Sequence, residues 1–563
     1  MGTTPDLGQP ERARSPVWAI LTAAAVAAGL VLLVQCARGG SATYDEVAYL
    51  RVASRWWRTG DQNEITRMGS PLTFWKIQQV PTLFLLDHTG HRDWVDDPIA
   101  HQRALLPWVR IGSSWIWLLA LGLTAAWSRA RYGPRAMALA AWLFVLSPNL
   151  IAHGALATME MPLIAGTTAM CGLFWRFLDT RRVPWLVAAA VAGGVAFSCK
   201  FTAIIFVPIL AAVWAIDSVR KGERDFRRSA IKLGLGLPLF LAIMLLVDWA
   251  VTGFATAPLS TTRGPHPTLE TRFGPRAAQI ISLLYETPIP QDWVGLAVQS
   301  HHQRSGGASY LWGETRMTGW WYYYLVAIFF KVPVAFWLLA GTRLLLRGIT
   351  RQRDQAPLLL VLFLVVTAVG SSRNYGVRYV LPLAPLAIVW VSALAEVARH
   401  RFARLAVFGG VAGYAVAIAT IHPHELTYFN VLAGGARGGR HILADSNLDW
   451  GQGLLSLAAL QERYPEFRDL TLYYFGDTEP EYYGVTGTCH VIRAVGDYST
   501  LPPIEKARTR FVAVSASLQW GPWGPPRHFR DLDGMEPVAE TDDSTIAIYR
   551  VNDLAIRPTY GAF

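Results

Sequence analysis

Eleven apolar runs along this chain are long enough, or nearly so, to cross about 30 Å of hydrocarbon, which takes roughly 20 helical residues. They lie near 17–36, 108–127, 136–152, 156–178, 183–199, 201–216, 231–250, 321–342, 356–370, 378–397 and 404–421. The connections at 153–155 and 199–200 are so short that only tight outer hairpins fit them. Each run is expected to be a membrane-crossing helix.

The polar stretches between the runs differ in charge. Arg12 and Arg14 precede the first run, Arg129, Arg131 and Arg135 follow the second, and Arg181 and Arg182 follow the fourth. Arg220, Lys221, Arg224, Arg227 and Arg228 follow the sixth, Arg343, Arg347, Arg351 and Arg353 the eighth, and Arg399, Arg401 and Arg404 the tenth. Basic clusters in alternate loops set orientation by the positive-inside rule, so the amino terminus is expected in the cytoplasm and the carboxyl terminus outside.

That orientation puts residues 37–107, 251–320 and 422–563 on the outer face. In the first of these, Val47–Trp57 and Leu72–Leu86, the latter broken by Pro81, suit helices lying along the interface with Trp and Phe at headgroup depth. In the last, Leu454–Arg463 reads as a helix and Leu470–Phe475, Arg510–Ala516 and Thr545–Val551 as strands between Gly and Pro turns. The expected fold is an α-helical polytopic membrane protein with about eleven transmembrane helices, N-in and C-out. It comprises a cytoplasmic tail (1–16), a membrane domain (17–421) and a small C-terminal extracytoplasmic α/β domain (422–563).

Composition agrees with the pattern. Of 563 residues, 52% are hydrophobic and 16% charged, where soluble domains carry about 25% charge; mean hydropathy is +0.27. The net charge of +11 lies in the short clusters already assigned to topology rather than on one continuous face, which excludes nucleic acid as the partner. Cys36, Cys171, Cys199 and Cys489 have no CxxC or Cys/His spacing, so neither a disulfide framework nor a zinc site is expected. Leu33-Val-Gln-Cys36 lacks the small residue of a lipoprotein box, so the first run reads as a retained anchor.

Candidate chemistry begins about ten residues past that anchor, at Asp45 and Glu46. An Asp-Glu pair is ordinarily a solvated loop feature. Here it stands between an anchor and an interfacial helix, where partial desolvation suits a carboxylate to proton abstraction. Ionisable residues in or beside spans form a second set, because they are costly in lipid and line cavities or substrate paths. These are His153, Glu160, Lys200, Lys331, Arg373 and Arg378. Snorkelling, ion pairing or helix capping is the bland alternative for each, but acids and cations gathered on one side favour an anionic ligand with a lipid anchor. In the tail, Asp445-Ser-Asn-Leu-Asp449-Trp-Gly451 has oxygen ligands at calcium-loop positions one, three and five but Trp450 and Ser456 at six and twelve, so it reads as a structural turn. His422-Pro-His424 and His301-His302 lack a fixed third metal ligand.

The ordered set of motifs resembles superfamily C of the glycosyltransferases, in particular the protein O-mannosyltransferases and the lipid A aminoarabinose transferases. It comprises Tyr44-Asp45-Glu46, Pro71-Leu72, Ala157-Thr-Met-Glu160-Met-Pro162, Lys200 and Gly319-Trp-Trp-Tyr-Tyr-Tyr324. It continues with Asn374-Tyr-Gly-Val-Arg-Tyr-Val-Leu-Pro382, Tyr428-Phe-Asn430 and Asp445-Ser-Asn-Leu-Asp-Trp-Gly-Gln452, which are similar to a bacterial branch of that group. The resemblance implies a sugar donor on polyprenyl phosphate, bound at the outer face of the inner or plasma membrane, with Asp45 as base. Its acceptor is a hydroxyl of a protein, lipid or glycan. This chain departs from relatives that carry His or Lys beside Pro-Leu, since it has Met68-Gly-Ser-Pro-Leu72, and Arg67 or Lys76 is the candidate replacement cation. Position 160 is Glu where some relatives have Asp.

Phosphate is a competent leaving group, so one base suffices where a glycosidase needs two carboxylates. Lys200, Arg373 and Arg378, with Arg67 and Lys76, are the expected donor-phosphate contacts. His153, Glu160 and Lys331 are the expected cavity or acceptor residues, and Glu46 is expected to orient the acceptor or a metal. Inversion is expected from a single in-line displacement. A divalent cation, Mg²⁺ or Mn²⁺, stays open as cofactor. The competing reading is a multi-span transporter of a lipid-linked or anionic solute, which predicts broken helices and a pseudo-repeat.

Overall fold

A computed structural model of the chain describes residues 16–221, 226–262, 274–346, 356–370, 372–494, 501–504, 507–525, 528–529, 532 and 534–551. Arg12, Arg14, Arg224, Arg347, Arg351 and Arg353 lie outside the described residues. The chain is a polytopic α-helical membrane protein with a mixed β-sheet in its carboxyl-terminal part. Among the described residues, six helices are long and apolar enough to cross a membrane, or up to eight if each of two bent pairs is one span. The pairs break where proline forbids continuation. Pro134–Val145 meets Pro148–Gly154 at 67°, and Tyr323–Lys331 meets Val334–Leu345 at 104° across Pro333. Val183–Cys199 and Leu383–Ala395 are apolar but shorter than a full span.

Close helix approach is made by small residues, as in membrane bundles generally. A Cβ on Gly166 would stand 2.8 Å from that of Ala196, and one on Gly194 would stand 2.5 Å from the Met244 carbonyl. Glu160–Thr180 and Val183–Cys199 are therefore locked antiparallel, joined by a turn in which Arg181 takes a left-handed conformation (φ 55°). The start of one helix and the end of the other thus share one level of the bundle, which brings Glu160 and Lys200 together.

The first outer segment folds as helices, beginning with α2 (Tyr44–Thr59), after the long α1 (Pro16–Gly39). Thr43 is its N-cap and Glu46 its N3 residue, a reciprocal capping box. Gly60 closes it in the left-handed conformation. Pro81 falls in the first turn of Val80–His88, where its missing N–H is harmless, and so divides the expected Leu72–Leu86 helix in two.

Two short antiparallel pairs, β1 (Thr256–Ala257) with β2 (Ile289–Pro290) and β3 (Ser309–Leu311) with β4 (Glu314–Arg316), lie in the second outer segment. The tail forms a five-stranded sheet from β5 (Leu470–Phe475), β6 (Thr488–Ile492), β7 (Phe511–Ser515), β8 (Ala539–Glu540) and β9 (Ile546–Arg550), in the order β6-β5-β7-β9-β8. β5 is parallel to both its neighbours, and β9 is antiparallel to β7 and β8. All six β5 residues are buried, which is why this strand reads as a continuous apolar run. Leu470, Leu472 and Tyr474 share one core with Val47, Leu50 and Trp75, whereas Tyr473 and Phe475 face another with Val512 and Val514. The first outer segment and the tail are therefore packed together.

Candidate functional site

The capping box that starts α2 sends its two acidic residues to different places. Glu46 is fully buried. Its Oε1 accepts from Arg110 Nε (2.9 Å) and the Ala157 amide (2.8 Å), and its Oε2 from Arg110 Nη2 (2.7 Å), the Thr43 amide (3.0 Å) and the Thr43 hydroxyl (2.9 Å). Burial alone would raise its pKa, but the charge and hydrogen bonds of Arg110 outweigh that and hold the carboxyl below the usual range. Arg110 also donates to the carbonyls of Ala37, Gly40 and Ser41. The pair thus pins the end of α1, the start of α2 and the loop before Glu160.

Asp45 points the other way. Its Oδ2 accepts from Arg378 Nη1 at 2.8 Å, and the same nitrogen lies 3.7 Å from Glu160 Oε1, which accepts from Lys200 Nζ at 2.9 Å. Two carboxylates and two cations from four separate parts of the chain therefore form one network. Its floor is aromatic: the Arg378 guanidinium stands 4.2 Å from the Trp450 ring and Lys200 Nζ 4.6 Å from Tyr379. His153 packs against Trp450, with ring centroids 6.4 Å apart, within electrostatic reach of Glu160. Asp445 is buried beside Arg378 and Asp45, and burial pushes its pKa up to about 7.

Within this network Glu160 Oε2, Arg378 Nε and His153 Nδ1 are buried without a hydrogen-bond partner among the described residues. Such atoms occur elsewhere in the chain as well, at Asp248 and Trp337 for example, but here three of them fall within one charged network. They leave a donor edge of Arg378 directed into the network while its Nη1 holds Asp45.

The other expected site residues lie elsewhere. Lys331 is buried and donates to the carbonyls of Leu426 (3.0 Å) and Asn447 (2.5 Å), so it clamps the turn that carries Asp445 and Trp450. Arg373 donates to the Gly306 carbonyl at 2.9 Å and lies over Tyr375. Lys76 reaches Gln62 (2.7 Å) and the rings of Trp56 and Trp75, and Arg67 is exposed at the end of Asn63–Arg67. The neighbouring acids do not form a shared cation site, because both Glu46 oxygens are filled by N–H and O–H donors and Asp45 faces a guanidinium. Among the described residues no group of three His, Cys, Asp or Glu is arranged to hold a metal.

Arg110 was not singled out by sequence pattern, and Trp450 and Tyr379 stood within recognised motifs without a role at the site. Arg110 sits in an apolar run that begins at Gln102, and a lone Arg there was the available signal. The Asp445–Gly451 turn is structural in part: Asp449 accepts from the Gly451 and Ser517 amides (3.0 and 2.8 Å). It also delivers Asp445 and Trp450 to Arg378.

Residues 83–249 match the family model described as dolichyl-phosphate-mannose-protein mannosyltransferase, less than a third of the chain. Among solved structures, the chain is similar to ArnT from Cupriavidus metallidurans bound to undecaprenyl phosphate (14% identity, 95% of this chain and 98% of that chain, TM-score 0.46). It is likewise similar to ArnT in the apo state (16%, 96% and 99%, 0.45). The archaeal oligosaccharyltransferase AglB from Archaeoglobus fulgidus, in complex with an inhibitory peptide and a dolichol-phosphate, gives 14% identity over 88% of this chain and 69% of that chain, with a TM-score of 0.40. No curated protein matches by sequence.

Proposed function

We propose that the chain is a membrane glycosyltransferase that moves a sugar from a polyprenyl-phosphate donor to an acceptor hydroxyl, as the mannosyltransferase family model over residues 83–249 supports. The observation that carries the residue assignment is the network of Asp45, Arg378, Glu160 and Lys200 with its unsatisfied donor edge. Asp45 takes the proton of the acceptor hydroxyl as its oxygen attacks the anomeric carbon. The bond from that carbon to the phosphate oxygen breaks in the same displacement, with inversion, and polyprenyl phosphate leaves with the electron pair. Arg378 and Lys200 meet the charge that develops on the departing phosphate. Glu160 positions these two cations, and Glu46 with Arg110 fixes the direction of Asp45.

The proposed topology has eleven spans, with 1–16 in the cytoplasm, a membrane domain at 17–421 and an outer domain at 422–563. Ion pairs among the basic loops support it: Arg131 with Asp179 (2.6 Å), Arg181 with Asp217 (2.9 Å) and Lys221 with Asp217 (3.0 Å) gather those loops together. In that topology Asp45, Glu160, Lys200 and Arg378 lie in the connections, or at the ends of the spans, on the other side.

The test is release of free polyprenyl phosphate from polyprenyl-phosphate sugars by the reconstituted protein supplied with protein, lipid and glycan hydroxyl acceptors. Asp45→Asn is expected to lower turnover by ~10²–10⁴-fold, the range for loss of a general base. Undiminished turnover in that variant removes Asp45 from the chemistry, and no release from any donor defeats the glycosyltransferase reading.

A further inference from the structure

A cavity of about 670 Å³ lies where the β3–β4 hairpin meets the segment after β7. Its wall is aromatic, with Tyr310, Trp312, Trp520, Trp523 and Phe529, and no Lys, Arg, Asp or Glu is among the described residues that line it. The network around Arg378 does not include it.

Trp312 is in an unusual conformation for its side chain. The register pairs Leu311 with Glu314, so Trp312 and Gly313 are the two central residues of the hairpin turn, both at positive φ (48° and 79°). Two-residue turns of this kind prefer Asn-Gly, because a bulky L-residue is strained there. The strain is on the order of 1–2 kcal/mol, yet Trp312 is 52% exposed and gains little from packing. The Trp312 amide donates to the Ile442 carbonyl at 3.0 Å, which holds the turn in place. A strained residue with an exposed ring at a cavity mouth points to a use for the ring.

Trp523 connects the cavity to the candidate base. It stacks on Phe475 (5.8 Å, 8°), which stacks on Tyr44 (5.5 Å, 11°), the residue before Asp45. The Trp523 indole nitrogen is buried without a hydrogen-bond partner among the described residues, and the side chain is near enough to Asp445, beside Arg378, to influence its ionisation.

We propose that this cavity is an acceptor subsite for a neutral saccharide, so that the hydroxyl glycosylated belongs to a glycan. The inference rests on the glycosyltransferase reading and names its substrate class. The face of an indole ring carries partial negative charge, which suits the weakly positive C–H faces of a pyranose. Thr315, Gln519 and His441 supply polar edges for sugar hydroxyls. Among the described residues that line it there is no charged side chain to pair with a phosphorylated or ionised occupant. The volume falls within the ~300–1,000 Å³ of ordinary small-ligand sites, room for a short oligosaccharide. A proline-rich peptide also docks on aromatic walls, and is the competing occupant.

The experiment measures binding of neutral di- to hexasaccharides, and separately of Pro/Ser/Thr-rich peptides, to the full-length protein in lipid nanodiscs by ligand-observed NMR. Trp312→Asn suits the turn better, so its melting temperature is expected to equal or exceed the parent's. Saccharide binding is nevertheless expected to weaken about tenfold, the loss of one ring contact, and Trp312→Phe to recover part of it. Binding of peptides alone, of no saccharide, or with equal affinity in parent and Trp312→Asn overturns the inference. Release of polyprenyl phosphate is read on the same preparations with the saccharides and the peptides each supplied as acceptor. Its absence with every acceptor defeats the enzymatic reading, whereas release with no saccharide bound defeats the subsite alone.

Discussion

Arg378 joins Asp45 to Glu160: one nitrogen of its guanidinium lies 2.8 Å from Asp45 and 3.7 Å from Glu160, while Nε is buried without a partner among the described residues. Three jobs therefore fall on one planar group. It aims the candidate base, shares the Glu160 charge with Lys200, and keeps a donor for the donor's phosphate. A lysine keeps the charge but has a single nitrogen and cannot do all three. Arg378→Lys is expected to lower kcat/KM for the donor by about 10²-fold, within the range for loss of a directed donor to developing charge. Arg378→Ala is expected to lower it further. Steady-state release of polyprenyl phosphate measures both, and a lysine variant with parental kcat/KM would show that charge alone is required.

The Glu46–Arg110 pair is expected to act on stability and on the placement of Asp45 rather than on chemistry. Both side chains are buried, at 0% and 2% exposure, and removing one partner of such a pair typically costs roughly 3–5 kcal/mol because the other charge is left buried. Glu46→Gln and Arg110→Met are each expected to lower the melting temperature of the protein in nanodiscs. The double variant is expected to lose less than the sum of the singles, since it leaves no uncompensated charge. Strict additivity in that cycle would mean that the two side chains act independently.

The division between these roles was only partly legible in the sequence. The apolar runs are largely helical where described, although the runs at 136–152 and 321–342 each divide into two helices at bends of 67° and 104° and six to eight helices, not eleven, reach membrane length; β5, β7 and β9 were visible as β-branched and aromatic stretches between turns. β6 and β8 were not, since Thr488-Cys-His-Val-Ile492 and Ala539–Glu540 are short edge segments that gain order from β5 and β9. Asp45, Glu160, Lys200 and Arg378 were each visible as charges in the wrong surroundings, and their meeting was not, because it depends on where four helix ends stop. Lys331 had the same signal as Lys200, yet its partners are backbone carbonyls of Leu426 and Asn447. Sequence marks a buried charge; the tertiary fold decides whether its partner is the chain itself or leaves room for a ligand.

Asp445 gives the network a pH dependence with a definite sign. Burial raises its pKa from the usual 3.8 to about 7; Arg378 opposes the rise and Asp45 adds to it. Tyr323, Tyr375, Trp523 and the Ser446 backbone also lie within its electrostatic reach. A carboxyl whose folded pKa is raised binds its proton more tightly in the native state, so its stabilising contribution is complete below about pH 4 and is lost as pH rises towards 7. Across that window the loss is on the order of a few kcal/mol, at about 1.4 kcal/mol per unit. Ionisation above pH 7 also adds a third carboxylate beside Arg378, competing with Asp45 and with the donor phosphate. Asp445→Asn keeps the shape and removes both effects. The parent is expected to lose kcat/KM on the alkaline side of about pH 7; the variant is expected to lack that fall, and to melt higher than the parent at pH 8, with a smaller difference at pH 5. An alkaline limb unchanged in Asp445→Asn would assign that titration to another group.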